Sequence, residues 1–537
     1  MDSNCGLKSV TKTGNTEKNQ YDVVPYDSHP FSKTHPENLC TIARLFGLAA
    51  PDYHDARILE LGCGQGGNLI PLAYNLPQSR CLGIDLSARQ IAPGQCVIDT
   101  LGLTNIALKQ MSITDIGPDL GQFDYIICHG VYSWVPTEVR DKILAVCRDH
   151  LAATGVAYIS YNCLPGWHMI RSIRDMMLYH VAEFNDPAER AEQARTMLRF
   201  ILDSQGRDNS AYAAHLESEL DLLSAHRDAY LLHDHLEENN HPIYFHQFVA
   251  DARRFSLDYL GETDLHTMFA DNLGPVVAEK IREIRDIVKA EQYMDFIRNR
   301  RFRCTLLCHD TADIERNLHV EGIEQFHITS LARPEAEVCD ADLEDGAPVV
   351  FTGGDISVTI RGRVPKTAML ILAEHRHKPL DYNDLCAETI ARSGIVHPQY
   401  VREQINADLN LLRLMFAGLI RISVSAGDHI TDVRERPIAT RLARHQASLD
   451  ETVTNQQHRS VALNPAEQVL IRFLDGSRNI DALAREIDRH VNRGELILER
   501  DGLEIDNPAE RLNAAGVLCR SILKGFADKA LLVEQDR

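Results

Sequence analysis

Positive charge is what this chain has least of, with 56 lysines and arginines against 77 aspartates and glutamates and a net charge of −21. Duplex DNA and anionic bilayers draw their affinity from paired cations, so this balance excludes nucleic acid as an expected partner and suits a basic peptide or protein. Long apolar runs are missing too. None reaches the roughly 20 residues of a spanning helix, and Met1-Asp2-Ser3-Asn4-Cys5 opens without the apolar centre of a signal peptide. No membrane insertion is expected, and the expected location is cytoplasmic. The 13 cysteines are odd in number and follow no framework, which reads as reduced thiols in that compartment. Tryptophan is scarce, with only Trp134 and Trp167. What remains, 44% hydrophobic and 25% charged over 537 residues, is ordinary globular composition for roughly three or four domains.

The stretch from Arg57 to Asp85 organises the rest. Ile58, Leu59 and Leu61 form a short apolar run that stops at Gly62-Cys63-Gly64-Gln65-Gly66-Gly67-Asn68, as a buried parallel strand does when it leaves its sheet through a tight turn. Glycines let the backbone approach a ligand, and the helix that follows offers unpaired N–H groups. Asp85 closes the next strand, Cys81-Leu82-Gly83-Ile84-Asp85, where it can accept from two ribose hydroxyls. Gly62, Gly64 and Gly67 also satisfy the dinucleotide pattern G-x-G-x-x-G. Glu60 decides against it, since a carboxylate beside the turn repels a pyrophosphate and suits the ammonium and sulfonium of S-adenosylmethionine (SAM). A nicotinamide oxidoreductase is disfavoured on the same ground.

Beyond Asp85 the α/β alternation continues, with strands over Ile106 to Met111, Phe123 to Cys128 and Val156 to Tyr161, and a helix from Thr137 to His150 ended by Gly155. That makes five strands of a doubly wound sheet, with the ligand beyond their carboxyl ends. Leu86 follows the second strand, and Met111, Ser112 and Ile113 leave the third to flank adenine. His129 and Gly130 leave the fourth ahead of Tyr132 and Trp134, and Tyr161 and Asn162 leave the fifth ahead of Trp167. Both tryptophans thus fall in rim loops, where an aromatic face holds an ammonium by cation–π attraction. Upstream, residues to about Gln20 form a polar tail. An arm then brings Tyr26, Phe31 and His35 before a helix opening near His35-Pro36, placed to fold across the site as a lid or to pack on the sheet edge.

After Trp167 the pattern turns helical, with Ile170, Ile173, Met177 and Val181 on one face. Tyr230 to Pro242 is rich in His, Asp and Glu but has no clean ligand pair, and it reads as a helix end and loop touching another domain. Cys304, Cys308 and His309 sit in a strand-like alternation, and no metal is expected there.

Leu59-Glu60-Leu61-Gly62-Cys63-Gly64, His129-Gly130-Val131-Tyr132-Ser133-Trp134-Val135-Pro136, Tyr161-Asn162 with Pro165-Gly166-Trp167-His168, Tyr244-Phe245-His246-Gln247-Phe248 and Asp295 to Arg303 together resemble bacterial class I methyltransferases that carry a methyltransferase-regulatory domain. The resemblance covers most of the chain. That family includes lysine methyltransferases of outer-membrane proteins, so the resemblance implies SAM-dependent N-methylation of a protein substrate and a helical middle domain through which a homodimer could form.

The last third follows an expected linker near Arg361 to Pro365. Ile405, Leu409, Leu412 and Phe416 make one helix face ahead of a strand-like Leu419 to Val424, a winged-helix pattern. Arg402 and Arg413 against Glu403 and Asp408 are too few cations for phosphates, and protein interaction is favoured. A second small unit follows the polar stretch Thr452 to Ser460. The expected fold class is therefore α/β, a Rossmann-like class I methyltransferase domain followed by a helical middle (regulatory) domain and C-terminal winged-helix-like units. Its expected divisions are a tail at 1–20, an arm at 21–50, the SAM-binding domain at 51–168, the middle domain at 169–300, a β-containing connection at 301–364, a winged-helix-like domain at 365–450 and a second helical unit at 451–537. Cofactor contacts are expected from Glu60, Gly62, Gly64, Asn68, Asp85, Leu86, Ser112, Ile113 and His129. Catalytic or acceptor-handling roles are expected from His129, Tyr132, Trp134, Tyr161 and Asn162. The competing readings are a SAM-binding regulatory scaffold and a methyltransferase acting on a small molecule.

Overall fold

The structure, a computed structural model, describes residues 28–535 apart from 207–209, 238, 317–319, 331, 355, 376–377, 408–413, 416–417, 428–429, 431 and 501–502. The polar tail, Tyr26 of the arm, and Asp408, Leu409, Leu412, Arg413 and Phe416 lie outside the described residues.

One sheet carries the molecule. Its strands are β1 (Arg57–Leu61), β2 (Arg80–Asp85), β3 (Ile106–Gln110), β4 (Phe123–Cys128), β5 (Leu151–Asn162), β6 (Leu257–Glu262) and β7 (Phe302–His309), in the order β3-β2-β1-β4-β5-β7-β6. The first five run parallel. Strand β1 lies between β2 and β4, and its Ile58, Leu59 and Leu61 are fully buried, as a strand covered on both faces requires. Edge strand β3 buries only Leu108, so its Lys109 and Gln110 cost nothing in desolvation. The helix Thr137–His150 ends before Leu151 and not at Gly155. Gly155 lies inside β5, where an added Cβ would sit 2.9 Å from the Asp124 carbonyl oxygen, so close strand packing and not a helix cap requires glycine there.

The sheet does not stop at five strands. Strand β7 pairs antiparallel with β5, and β6 with β7, so residues from 257 onward complete what Arg57 begins. Between β5 and β6 the chain makes the helices Gly166–Val181, Pro187–Ser204, Ala211–Ala225 and Asp228–Asp234, packed around Ile173, Met177, Leu198, Leu220 and Leu231. It returns through Phe245–Arg253, whose Phe245 and Phe248 join the core of the sheet.

Arg303 on β7 is the centre of a buried ion cluster. Its guanidinium donates to both oxygens of Asp295 at 2.9 Å, to Glu291 at 3.0 Å and to Glu262 at 3.2 Å, and its Cζ lies 3.7 Å from the centroid of Phe245. The Asp295 to Arg303 motif therefore fastens the helix Ile287–Arg298 to β6 and β7.

Beyond β7 two further cores follow. One gathers Ile328, Phe351, Ala368, Tyr382, Leu385 and Ile420, with strand Ile420–Ser423 paired to His327–Ser330. The expected linker at Arg361 to Pro365 is instead the start of a helix, Arg363–His375, with Val364 and Pro365 buried in this core. The other core joins Leu470, Leu483, Ile487, Leu523 and Phe526 of the helices Pro465–Ile471, Ile480–Asn492 and Pro508–Asp528. The polar stretch Thr452 to Ser460 is no separator either: Thr452–Thr454 and Ser460–Ala462 form a hairpin, and its tip reaches Asn68, at the start of the helix that follows β1. No helix among the described residues is long and apolar enough to cross a membrane.

Candidate active site

A cavity of about 480 Å³ opens at the carboxyl ends of β1, β2, β4 and β5. At its floor the Gly62 and Cys63 N–H groups donate to the Ile84 carbonyl at 2.8 and 3.1 Å, which ties the turn after β1 to β2. Gly62 has φ +77°, and a Cβ there would meet Val131 Cγ2 at 2.4 Å, so glycine is needed twice over. A Cβ on Gly67 would meet the Ser28 carbonyl oxygen at 2.2 Å. The close approach that Gly67 permits is thus of the chain's own arm, whose Ser28 Oγ also accepts from the Gly67 N–H at 2.8 Å.

Two carboxylates line this floor. Asp85 accepts from the Gly64 N–H at 2.9 Å through Oδ2 and from the Ser87 N–H at 2.9 Å through Oδ1. Glu60 is 3% exposed; its Oε1 accepts from Asn68 Nδ2 at 2.8 Å, and its Oε2 has no hydrogen-bond partner among the described residues. Burial pushes Glu60 up to about 8, the Asn68 amide pulling it down and the charge of Asp85 adding to the rise. The Asn68 amide oxygen in turn takes the Phe31 N–H at 3.0 Å, the Thr34 hydroxyl at 3.0 Å and His458 Nε2 at 2.7 Å.

The fourth and fifth strands supply the rest. His129 Nδ1 lies 2.8 Å from the Tyr158 hydroxyl, and the Phe31 ring sits 3.8 Å from the imidazole, centroid to centroid. Burial, with Lys33 nearby, lowers His129 to about 4, so the ring is neutral at physiological pH. The Gly130 N–H donates to Ser160 Oγ at 2.8 Å. Side chains alternate along β5, so Tyr158, Ser160 and Asn162 share the face toward the site while Tyr161 takes the other. Asn162 is 5% exposed and lines the cavity, and its Nδ2 has no partner among the described residues.

All the residues expected to hold a cofactor line this cavity, as do Trp134 and Asn162. Tyr132 and Tyr161 do not. Tyr161 stacks on Phe248 at 4.2 Å with its hydroxyl 3.0 Å from Thr305 Oγ1, and Tyr132 meets the same phenyl ring edge-on at 5.3 Å. Both are core residues that hold the helix Phe245–Arg253 against the sheet, and burial raises both phenols further from any role as a base. Trp167 is buried and meets Trp134 edge-on at 6.0 Å, behind the half-buried Trp134 that faces the cavity. Of the arm residues, Phe31 lines the cavity, whereas His35 caps its helix by accepting the Glu37 N–H at 3.2 Å.

Sequence reasoning missed the contribution of the middle domain. His233, Asp234, Glu237 and Asn239 line the same cavity as Glu60 and Trp134. They reach it because the His241 N–H donates to the Ser133 carbonyl at 2.8 Å and the Ile243 N–H to the Asn162 carbonyl at 3.1 Å, stitching this segment to both rim loops. Arg174 donates to the Glu237 carbonyl from behind. Burial pushes Asp234 up to about 6 against the pull of His235 and His226, and its Oδ2 has no partner among the described residues. The acid-rich run was visible in the sequence, but a contact across some 70 residues of helix leaves no local trace. Among the described residues no group of three or more His, Cys, Asp or Glu side chains is placed to hold a metal.

The floor fits SAM. A buried carboxylate oxygen without a partner suits a cation, Asp85 at the end of β2 suits two hydroxyls, and no lysine or arginine among the described residues lines the cavity to grip a pyrophosphate. The fold and this floor define a class I SAM-dependent methyltransferase. Three family models agree: a methyltransferase domain over residues 58–155, a predicted methyltransferase regulatory domain over 227–309 and the PKMT C-terminal winged helix domain over 435–531. The winged-helix match thus falls largely on the second of the two C-terminal cores. An uncharacterized protein of Rickettsia prowazekii is 39% identical over 98% of this chain and 96% of its own length. The structure of PKMT2 from Rickettsia typhi in complex with AdoHcy superposes with a TM-score of 0.87 at 35% identity, over 95% of this chain and 100% of that one. A second PKMT2 structure gives 0.86 at 34% identity with the same coverage. The chain belongs to the family of Rickettsia PKMT2, SAM-dependent methyltransferases with a regulatory domain and a C-terminal winged helix.

Proposed function

We propose that this enzyme transfers methyl groups from SAM to lysine side chains of a protein substrate. The observation that carries the reading is the joint lining of one cavity by Trp134 and by the middle-domain carboxylates Asp234 and Glu237. An aromatic face beside carboxylates attracts an ammonium, whereas a carboxylate or phosphate acceptor would be repelled. The full-length likeness to PKMT2 supports the same reading.

Glu60 would take the methionyl ammonium of the cofactor, Asp85 its ribose hydroxyls, Gly62 and Gly64 its close approach, and Leu86, Ser112 and Ile113 the adenine. Bound SAM supplies an activated methyl on a sulfonium. Alignment and exclusion of water are then the main tasks left to the protein. A lysine amine, with a reference pKa of about 10.4, must lose a proton before its lone pair can form the N–C bond as the C–S bond breaks. Asp234, titrating near 6, is the cavity's proton acceptor for that step, and Trp134 orients the nitrogen. Neutral His129 and the Asn162 amide line the path without adding charge.

The test is transfer of labelled methyl from SAM into bacterial cell fractions, with the modified atom located by mass spectrometry. Label on lysine Nε of a polypeptide is expected. Label confined to RNA, to carboxyl groups or to small molecules would refute the acceptor assignment.

A further inference from the structure

We propose that His458 of the C-terminal winged-helix domain is a positioning residue for cofactor binding, locking the Asn68 amide so that Glu60, which lines the cavity, keeps one carboxylate oxygen without a hydrogen-bond partner among the described residues. This rests on the assignment of Glu60 to the cofactor and is independent of what the methyl acceptor is.

His458 lies 390 residues from Asn68 in sequence, yet its ring is 1% exposed and its Nε2 is 2.7 Å from Asn68 Oδ1. It stands at the tip of the Thr452–Thr454 and Ser460–Ala462 hairpin with φ +55°, a conformation that favours glycine or asparagine. The tip is held in that shape. Asn455 Oδ1 accepts the Gln457 and Arg459 N–H groups at 3.0 and 2.9 Å, Asn455 Nδ2 donates to the Lys529 carbonyl at 2.9 Å, and the Gln456 N–H donates to the Ala530 carbonyl at 2.9 Å. The loop is thereby anchored to the end of the helix Pro508–Asp528, inside the domain's own core. A strained, buried, well-supported histidine that leaves its own domain to meet one amide is more than a packing wedge.

The hydrogen bonds have a direction. Asn68 Oδ1 faces the Phe31 N–H, His458 Nε2 and the Thr34 hydroxyl, whose single hydrogen is shared with the Phe31 carbonyl at 2.8 Å, so the Phe31 and His458 N–H groups chiefly set the amide and leave Nδ2 pointing at Glu60 Oε1. A flipped amide would set its own N–H groups against those donors, so each donor adds to the preference for the observed orientation. With Oε1 occupied, Oε2 is the oxygen left for a cation. For His458 to donate through Nε2 its ring must carry its single proton there, and burial, with His35 5.4 Å away between ring centroids, holds the ring neutral.

Titration calorimetry on the full chain tests this with His458→Phe, which keeps the ring volume without the donor, and His458→Gln, whose amide can donate to Asn68. The phenylalanine variant is expected to weaken SAM about tenfold, and the glutamine variant to recover most of the loss. In a Glu60→Gln background the His458→Phe effect should vanish, since the path runs through Glu60. A SAM Kd within twofold of the parent for His458→Phe, a tenfold loss that persists beside Glu60→Gln, or a glutamine variant no better than phenylalanine overturns the proposal. So does a phenylalanine variant that cannot fold while the glutamine variant folds but binds SAM as weakly as Glu60→Gln alone. Normal SAM affinity in Glu60→Gln itself would instead remove the cofactor assignment beneath it.

Discussion

The Gly64 N–H donates to Asp85 Oδ2 at 2.9 Å, so the glycine turn after β1 and the acid that closes β2 form one unit. Asp85→Ala therefore loosens this turn and, under the proposed assignment, removes the group that holds the ribose hydroxyls. SAM affinity should fall by about 30-fold, the equivalent of ~2 kcal/mol for hydrogen bonds to a charged group. Calorimetry on a variant with native circular dichroism reads this, and an unchanged Kd would remove Asp85 from the site.

Glu60 carries a pH signature. Its folded value of about 8 lies above the ordinary carboxyl range, and a bound cation favours the ionised form. SAM binding at pH 7 should thus expel close to one proton, and the part of the affinity due to Glu60 should rise by about tenfold per pH unit up to that value and then level. Comparing binding enthalpies across buffers of different ionisation heat counts the proton. Glu60→Gln should release fewer protons than the parent, and equal release by both would contradict the assignment.

Trp134→Ala should keep SAM affinity within a few fold while methyl transfer drops by about tenfold or more, as expected when orientation of the acceptor is lost. Tyr132→Phe, by contrast, should leave turnover nearly intact, because that ring packs on Phe248 away from the cavity. Asp234→Asn should lower kcat/KM and flatten its rise with pH near 6. Steady-state kinetics on the three variants separates rim from core, and a Trp134→Ala enzyme at full rate would return that residue to a covering role.

Arg303→Met leaves three buried carboxylates, Glu262, Glu291 and Asp295, without their shared cation. Breaking such a cluster from one side costs about 3–5 kcal/mol, so denaturant unfolding should show a loss of this order. A midpoint unmoved by the substitution would show that Arg300, 3.1 Å from Glu262, carries the cluster alone.

The five parallel strands were legible because each apolar run stops at a turn residue and pairs with a near neighbour. Strand β7 was legible as a strand from its alternation, but its place beside β5 was not, since antiparallel pairing across more than 130 residues has no local signature. That Glu60, the glycines and Asp85 would line one cavity was readable because they lie within one strand–turn–helix–strand unit. The acceptor side was misread at Tyr161 by one step of the strand's alternation: the face set by Ser160 and Asn162 excludes it. Nothing near His458 in the chain hints that an asparagine 390 residues earlier is its partner.

The position of β7 also bears on how the chain leaves the ribosome. Until Phe302–His309 has been synthesised, β5 has a partner on one side only, and its Leu151–Asn162 backbone is an open edge that any other nascent strand could pair with. The helices Gly166–Val181 through Asp228–Asp234 emerge during that interval. Cutting the gene after residue 168 makes the interval permanent, so the isolated α/β half should be recovered in inclusion bodies, and extending it through His309 should return it to the supernatant.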